Sequence, residues 1–144
     1  MAQPPASYAV APAFGVTHIA FSGSVTGGTL VGALRALHDD DRWRPGFDML
    51  WDCRAVTGLA LDPGELEALI EAGTEDTEGR DVSIVLRELD EAIAVLFRHV
   101  ARRRGKEAHV CHSVEDALAV LGLEDGAWAA LQTDRVAVAA DGAA

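Results

Sequence analysis

The order in which short apolar runs and amphipathic segments follow one another restricts the folds open to this chain. Two β-rich runs flank the turn-forming segment 12–15, which predicts an N-terminal β-hairpin. Beyond it, segments of helical periodicity alternate with short, nearly continuous apolar runs typical of buried parallel strands. Strands and helices that alternate in this way form a parallel sheet through right-handed crossovers. We therefore predict an α/β fold with a mixed, mostly parallel sheet of about five strands and about four helices.

The predicted helices carry recognisable start and stop residues. Asp62 is a natural N-cap for the second helix, and Glu65 stands three residues after it. Ser113 caps the last helix, which Gly122 ends. The basic segment 102–106 closes the third helix, where it either complements the helix dipole or receives an acidic partner. The third helix has the most regular apolar stripe: Leu89, Ala92, Ile93, Leu96, Phe97 and Val100.

The length of 144 residues suits one domain with a real core. The Pro- and Ala-rich residues 1–7 are predicted to be a disordered N-terminal segment. Residues 8–122 are predicted to form the domain. Residues 123–144 are predicted to be an Ala-rich C-terminal tail, which either carries a short helix around Trp128 or is mobile.

Composition narrows the classes of function. Lys and Arg total 12 and Asp and Glu total 23, so the formal net charge is −11. A surface this acidic repels phosphate backbones and anionic lipids, which argues against nucleic acid as a partner. No apolar run approaches the roughly 20 residues needed to cross a bilayer, so we expect no stable membrane insertion. Cys53 and Cys111 lie in apolar runs without C-x-x-C spacing, which indicates reduced thiols and a cytoplasmic protein.

The pair Asp52-x-Arg54 is a candidate binding feature. It follows the apolar run 49–51 at the end of a predicted strand, where ligands bind in open α/β sheets. The pair is either a polar anchor for a ligand or partner, or an Asp and an Arg that tie loop backbone together. Trp43, which stands among charged residues, is either a contact residue or a lid over the first helix.

The sequence contains no complete metal or catalytic constellation. His109 and Cys111 would share one face of a strand and His112 the other, so the three cannot meet on one ion. Cys53 and His112 lack a third group that would orient them as nucleophile and base. We therefore expect no metal, no cofactor and no catalytic residue.

Three segments carry a resemblance to a known family. They are 21–26, Phe-Ser-Gly-Ser-Val-Thr; 48–54, which ends in the Asp-x-Arg pair; and 113–122, the closing helix. In order and spacing they resemble the STAS-like proteins, in particular the small stand-alone bacterial SpoIIAA-like (anti-sigma-factor-antagonist-like) group. The resemblance spans residues 8–122 and implies a mixed sheet covered by helices, with a non-enzymatic or ligand-binding role.

The chain departs from the anti-sigma-factor antagonists at one position. Those proteins carry a phosphorylatable serine at the start of the second helix, where this chain reads Leu61-Asp62-Pro63-Gly64-Glu65. No hydroxyl is present to accept a phosphate, so we expect no phosphoserine switch in that turn.

Two hypotheses about function follow from the resemblance and the absence of a catalytic constellation. The first is a non-catalytic regulatory domain that binds an unknown protein partner, with Trp43, Asp52, Arg54, Asp62 and Glu65 as candidate contact residues. The alternative is a carrier or sensor of a small apolar, lipid-like ligand. Either is compatible with a homodimer.

Overall fold

The computed structural model describes residues 4–60, 64, 78–86, 88–103 and 105–138, without the side chains of residues 59, 89, 90, 92, 93, 96 and 100. The strands are β1 (Ala6–Ala11), β2 (Val16–Thr26), β3 (Asp48–Ala60), β4 (Asp81–Ile84), β5 (Ala108–Cys111) and β6 (Val136–Val138). The helices are α1 (Gly27–His38), α2 (Glu88–Arg103), α3 (Val114–Leu121) and α4 (Asp125–Leu131). None of these described helices is long and apolar enough to span a bilayer.

The strands form one sheet in the order β5-β4-β3-β2-β1-β6. β2, β3, β4 and β5 pair in parallel, whereas β1 pairs antiparallel with both β2 and β6. The predicted mixed, mostly parallel α/β sheet and its N-terminal hairpin are therefore confirmed, with six strands in place of about five.

Helices cover both faces of the sheet. On one face, Leu37 of α1 and Phe97 of α2 pack against strand residues such as Ile19 and Trp51. On the other face, Leu121 of α3 and Leu131 of α4 pack in a second core cluster. Side chains alternate between the faces along each strand, because successive residues of a strand point to opposite sides.

Local sequence signals account for three of the helix boundaries. Thr26 caps α1 with a reciprocal pair of hydrogen bonds to Thr29, and Ser113 accepts a hydrogen bond from the backbone N–H of Asp116 at the start of α3. Gly122 ends α3 in a left-handed conformation, with φ of 67°. The predicted start of α3 at Ser113 and its predicted end at Gly122 are confirmed.

Strands β2 and β3 are longer than the sequence predicted. From the sequence, β3 was predicted to end at the Asp52-x-Arg54 pair. Instead the two strands continue as a parallel pair to Thr26 and Ala60, with register shifts after Ala20 and after Gly23. This part of the pair extends beyond Phe21 and Asp52, the last residues of β2 and β3 that pair with β1 and β4. Its Gly, Ser and Thr residues give it the composition of a loop.

The structured domain also reaches further than predicted at both ends. β1 begins at Ala6, within the segment predicted to be disordered. The predicted tail contains α4, which includes Trp128, and then β6, which pairs with β1 and adds an edge to the sheet. A strand of three residues is too short to produce a readable alternation, which is why the sequence did not reveal it.

Two other predictions concern the second predicted helix and Lys106. The second predicted helix, with Asp62 and Glu65, lies outside the described residues apart from Gly64. Lys106 was assigned to a basic cluster at the end of the third predicted helix, now α2. Its side chain is in fact only 7% exposed, and its Nζ lies 2.9 Å from Oδ2 of the buried Asp81.

Gly79 is required where the chain enters β4. A Cβ atom at this position would overlap the carbonyl group of Phe47 and the backbone nitrogen of Asp48. We expect Gly79→Ala to lower the free energy of unfolding by at least about 2 kcal/mol, because backbone atoms cannot move aside cheaply. Gly126→Ala in α4 is the control, since its added Cβ meets no atom within 4 Å. Denaturant unfolding of both variants measures the difference, and equal midpoints would contradict the prediction.

Thr17 is a position where a substitution should stabilise the protein. Its side chain is fully buried, and its Oγ1 has no hydrogen-bond partner among the described residues. We expect Thr17→Val to raise the free energy of unfolding by about 1 kcal/mol, because the substitution removes an unsatisfied buried hydroxyl and keeps the shape. Thr29→Val is the contrasting variant and should lower it by about 1 kcal/mol, since that hydroxyl belongs to the cap of α1.

Candidate ligand-binding site

An open pocket of about 330 Å³ lies over β1, β2 and β3, beside the segment that follows α4. Its polar lining includes Ser7, His18, Ser22, Asp52, Arg54, Gln132 and Arg135, and its apolar lining comprises Pro4, Ala20, Phe21 and Ala55. A volume of this size is at the lower end of the range for small-molecule sites.

The strand geometry explains why these residues meet. His18, Ala20 and Ser22 are alternate residues of β2. β3 runs parallel to β2 and places Asp52 opposite Ala20. The register shift beyond Ala20 then brings Ala55 opposite Ser22, so that Asp52 and Ala55 both reach the pocket lining.

Asp52 is the centre of the polar network and is only 4% exposed. Its Oδ1 accepts hydrogen bonds from the backbone N–H of Arg54 at 3.1 Å and from Arg54 Nε at 2.9 Å. Its Oδ2 accepts one from Arg54 Nη2 at 2.8 Å and one from His18 Nε2 at 2.9 Å. These four bonds match the roughly four acceptor positions of a carboxylate, so Asp52 has no lone pair left for a ligand.

The charge of Asp52 is stabilised by these donors. Burial by itself would raise the pKa of this carboxyl, but the hydrogen bonds from His18 and Arg54 hold its pKa well below the usual range. Asp52 is therefore ionised, and its charge is balanced locally by the guanidinium of Arg54.

The neighbours of His18 determine its tautomer. Arg135 Nη1 lies 2.8 Å from His18 Nδ1, and because an arginine can only donate, Nδ1 is an acceptor without a proton. The ring proton is then on Nε2, which donates to Asp52. Burial lowers the pKa of His18 despite the nearby Asp52, in agreement with a neutral ring.

Arg135 joins the C-terminal part of the chain to the sheet. Besides His18, its guanidinium donates to Ser7 Oγ from Nε at 3.3 Å and from Nη2 at 2.8 Å, and from Nη1 to the carbonyl of Leu131 at 2.9 Å. All of these acceptors are neutral. Arg135 is thus a half-buried cation that no described carboxylate pairs with directly.

Trp128 of α4 closes one side of the network. Its ring centroid lies 4.9 Å from that of His18, and the guanidinium carbon of Arg54 lies 5.6 Å from its centroid. The second contact is a cation–π interaction, which orients Arg54 in addition to its bonds to Asp52.

The structure brings together only two of the predicted contact residues. Asp52 and Arg54 line the pocket, although they lie inside β3 and not at its end. Trp43 is buried in the core on the opposite face, with its ring 4.7 Å from that of His38, which is the position expected of a lid over the first helix. Asp62 and Glu65 lie outside the described residues.

Sequence reasoning did not identify His18, Ser7 or Arg135 as part of a site. The partners of His18 are 34 and 117 residues away in sequence. Arg135 lies in the segment predicted to be a tail. The usable signal was His18 itself, because the other residues of the β-rich run 16–21 are apolar apart from Thr17. A polar side chain in such a run indicates a buried hydrogen-bond partner but does not identify it.

The histidines of the segment 109–112 have separate partners. His109 Nε2 lies 3.0 Å from Glu107, and His112 Nε2 lies 3.0 Å from Glu91 of α2. Within the described part of the chain, no three His, Cys, Asp or Glu side chains are grouped as metal ligands. The expectation of no metal stays a prediction.

Comparison with known proteins identifies the architecture. No protein-family model matches the sequence, and no curated protein matches it significantly. A solved structure does match: an uncharacterised protein of the DUF3478 family from Shewanella loihica PV-4, described as having a SpoIIAA-like fold. The TM-score is 0.56 at 17% sequence identity, and the alignment covers 84% of this chain and 98% of that one. This chain has the SpoIIAA-like fold.

The SpoIIAA-like fold confirms the architecture that the sequence resemblance implied, a mixed sheet covered by helices. At 17% identity the likeness extends to the fold and not to the residues of a site. The chemistry of the pocket in this SpoIIAA-like chain therefore depends on its own side chains.

The buried neutral His18 should make stability depend on pH. Because burial lowers its folded-state pKa below the unfolded value of about 6.5, folding is favoured above that pH and loses this contribution as the pH falls. Between neutral pH and about pH 5.5, the wild-type protein should therefore lose stability at up to about 1.4 kcal/mol per pH unit.

Denaturant unfolding across this pH range tests the prediction. His18→Gln, which can still donate to Asp52 but does not titrate, should show a shallower slope than the wild type. The control is His112→Gln at an exposed position, which should retain the wild-type slope. A His18→Gln slope equal to that of the wild type would exclude His18 as the source.

Proposed function

We propose that this SpoIIAA-like protein is a non-catalytic binding domain and that the pocket around Arg54 and Arg135 is its ligand-binding site. The observation that carries the proposal is the way the pocket is built. Three strands and the segment after α4 supply its polar groups, and a buried hydrogen-bond network centred on Asp52 holds them in place. Such preorganised polar groups at the edge of an open pocket are what a small-molecule site requires.

The arrangement supports binding and not catalysis. An Asp–His pair acts as a general base only when the second ring nitrogen faces a nucleophile or a substrate proton. Here that nitrogen, Nδ1 of His18, accepts from Arg135. The hydroxyls of the lining are also engaged: Ser7 Oγ accepts from Arg135, and Ser22 Oγ donates to the carbonyl of Pro4 at 2.7 Å.

The pocket favours a small ligand with a polar group over the wholly apolar ligand considered from the sequence. Its lining joins charged and hydroxyl side chains to a limited apolar surface that includes Ala20 and Ala55. A lipid-like chain would offer no acceptor to the remaining N–H groups of Arg54 and Arg135. The protein-partner hypothesis stays a prediction, since two of its candidate contact residues, Asp62 and Glu65, lie outside the described residues.

A blocked pocket tests the proposal. Ala55 is exposed and lines the pocket, so Ala55→Leu should reduce the free volume without disturbing the core. Ala129→Leu, at an exposed position of α4, is the matched control. Native mass spectrometry of the full chain taken directly from cells should show a small-molecule adduct on the wild type and on Ala129→Leu.

Loss of that adduct in Ala55→Leu, with an unchanged melting temperature, is the expected result. An adduct that remains in Ala55→Leu would place the ligand elsewhere. The absence of any adduct from the wild type, even when the protein is analysed without dialysis, would overturn the proposed function.

A further inference from the structure

The hydrogen-bonding groups left over in the pocket are mostly donors. An arginine has about five N–H donors, and the described residues accept from four positions on Arg135 and two side-chain positions on Arg54. Ser7 Oγ accepts twice from Arg135, which leaves its own O–H to donate. Asp52, by contrast, is saturated with hydrogen bonds.

The charged side chains that line the pocket have one positive charge that no negative charge balances. Asp52 is matched by Arg54, to which it is bonded through both oxygens. His18 is neutral because Arg135 donates to its Nδ1. Among the described residues, the hydrogen-bond acceptors that meet the charge of Arg135 are all neutral: Ser7, His18 and the carbonyl of Leu131. A half-buried guanidinium of this kind is completed by an anion.

We propose that the pocket binds a small organic monoanion, namely a carboxylate attached to a compact apolar body. This inference rests on the proposed function and specifies the ligand of that same site. Arg135, Arg54 and the hydroxyl of Ser7 receive the carboxylate, and the lining residues Ala20 and Ala55 contact the organic part.

A monoanion fits better than a dianion or a cation. One uncompensated positive charge neutralises one carboxylate, whereas a phosphate monoester carries a charge of about −1.5 to −2 near neutral pH. The excess negative charge of the phosphate would be held in a protein whose net charge is already −11. A cationic ligand would meet Arg54 and Arg135 and would find Asp52 already saturated.

Four probes with the same ring and different charges test the inference on the unmodified full-length chain. They are benzoate, benzamide, benzylamine and phenyl phosphate. Binding is followed by the amide resonances of Ser7, Ala20, Ala55 and Gln132 in ¹⁵N-labelled protein near neutral pH. Salt at about 0.15 M shortens the Debye length to about 8 Å, which screens the distant acidic surface.

Benzoate should shift the pocket resonances and bind at least about tenfold more tightly than benzamide, since a charge-assisted bond of about 1.4 kcal/mol is lost with the charge. Benzylamine should leave these resonances unchanged, and phenyl phosphate should bind more weakly than benzoate. The proposal that the ligand is a monoanion would be wrong if benzamide bound as tightly as benzoate. It would also be wrong if benzylamine or phenyl phosphate bound more tightly than benzoate.

A pair of variants locates the charge responsible. Arg135→Gln should weaken benzoate binding at least about tenfold, because the amide keeps a donor but loses the charge. Arg103→Gln removes the same charge from an exposed position of α2 and should change the affinity by less than about twofold. Equal affinities in the two variants would contradict the role of Arg135. If Arg135→Gln does not fold, the probe series on the wild type still decides the ligand class.

The two proposals fail in different ways. If benzamide or benzylamine shifts the pocket resonances and benzoate does not, the pocket binds a ligand but the proposed monoanionic charge of that ligand is wrong. If no probe shifts them while the cellular adduct is still lost in Ala55→Leu, the monoanion is again wrong and the proposed function stands. If the wild type carries no adduct and no probe binds, both proposals are wrong.

Discussion

A buried carboxylate within the sheet is the constraint on which the site depends. Asp52 lies inside β3 and is 4% exposed, and an ionised group in that position is costly unless donors surround it. Four hydrogen bonds from Arg54 and His18 meet that requirement. Removing one partner would leave an uncompensated charge in the interior, which costs far more than the loss of a surface ion pair.

The requirement extends beyond Asp52 itself. His18 donates to Asp52 from Nε2 as a neutral ring, and Arg135 satisfies the remaining acceptor of that ring, Nδ1. Arg135 lies between α4 and β6, so the same chain of bonds holds the C-terminal segment against β1 through Ser7. The residues that satisfy Asp52 thus also form part of the wall of the pocket, and the network leaves one positive charge there.

The fold and the site have different relations to known proteins. The SpoIIAA-like architecture is shared with the Shewanella loihica protein at 17% identity, a level at which the packing of helices on a sheet persists while individual side chains change. The hydrogen bonds and charges of the pocket belong to side chains of this chain. The proposed binding function and the charge of its ligand follow from these side chains, and no activity of the similar protein is assigned to this one.

The sequence by itself determined the hairpin, most strands and helices, and the caps at Ser113 and Gly122, because periodicity and capping are local signals. It also singled out Asp52 and Arg54, which are two residues apart, although the bonds between their side chains are a finding of the structure. Only the tertiary structure decided that Asp52 meets His18, that Arg135 completes that pair, and that Lys106 is buried against Asp81. These contacts join residues 25 to 117 positions apart, and no local pattern specifies which strands become neighbours.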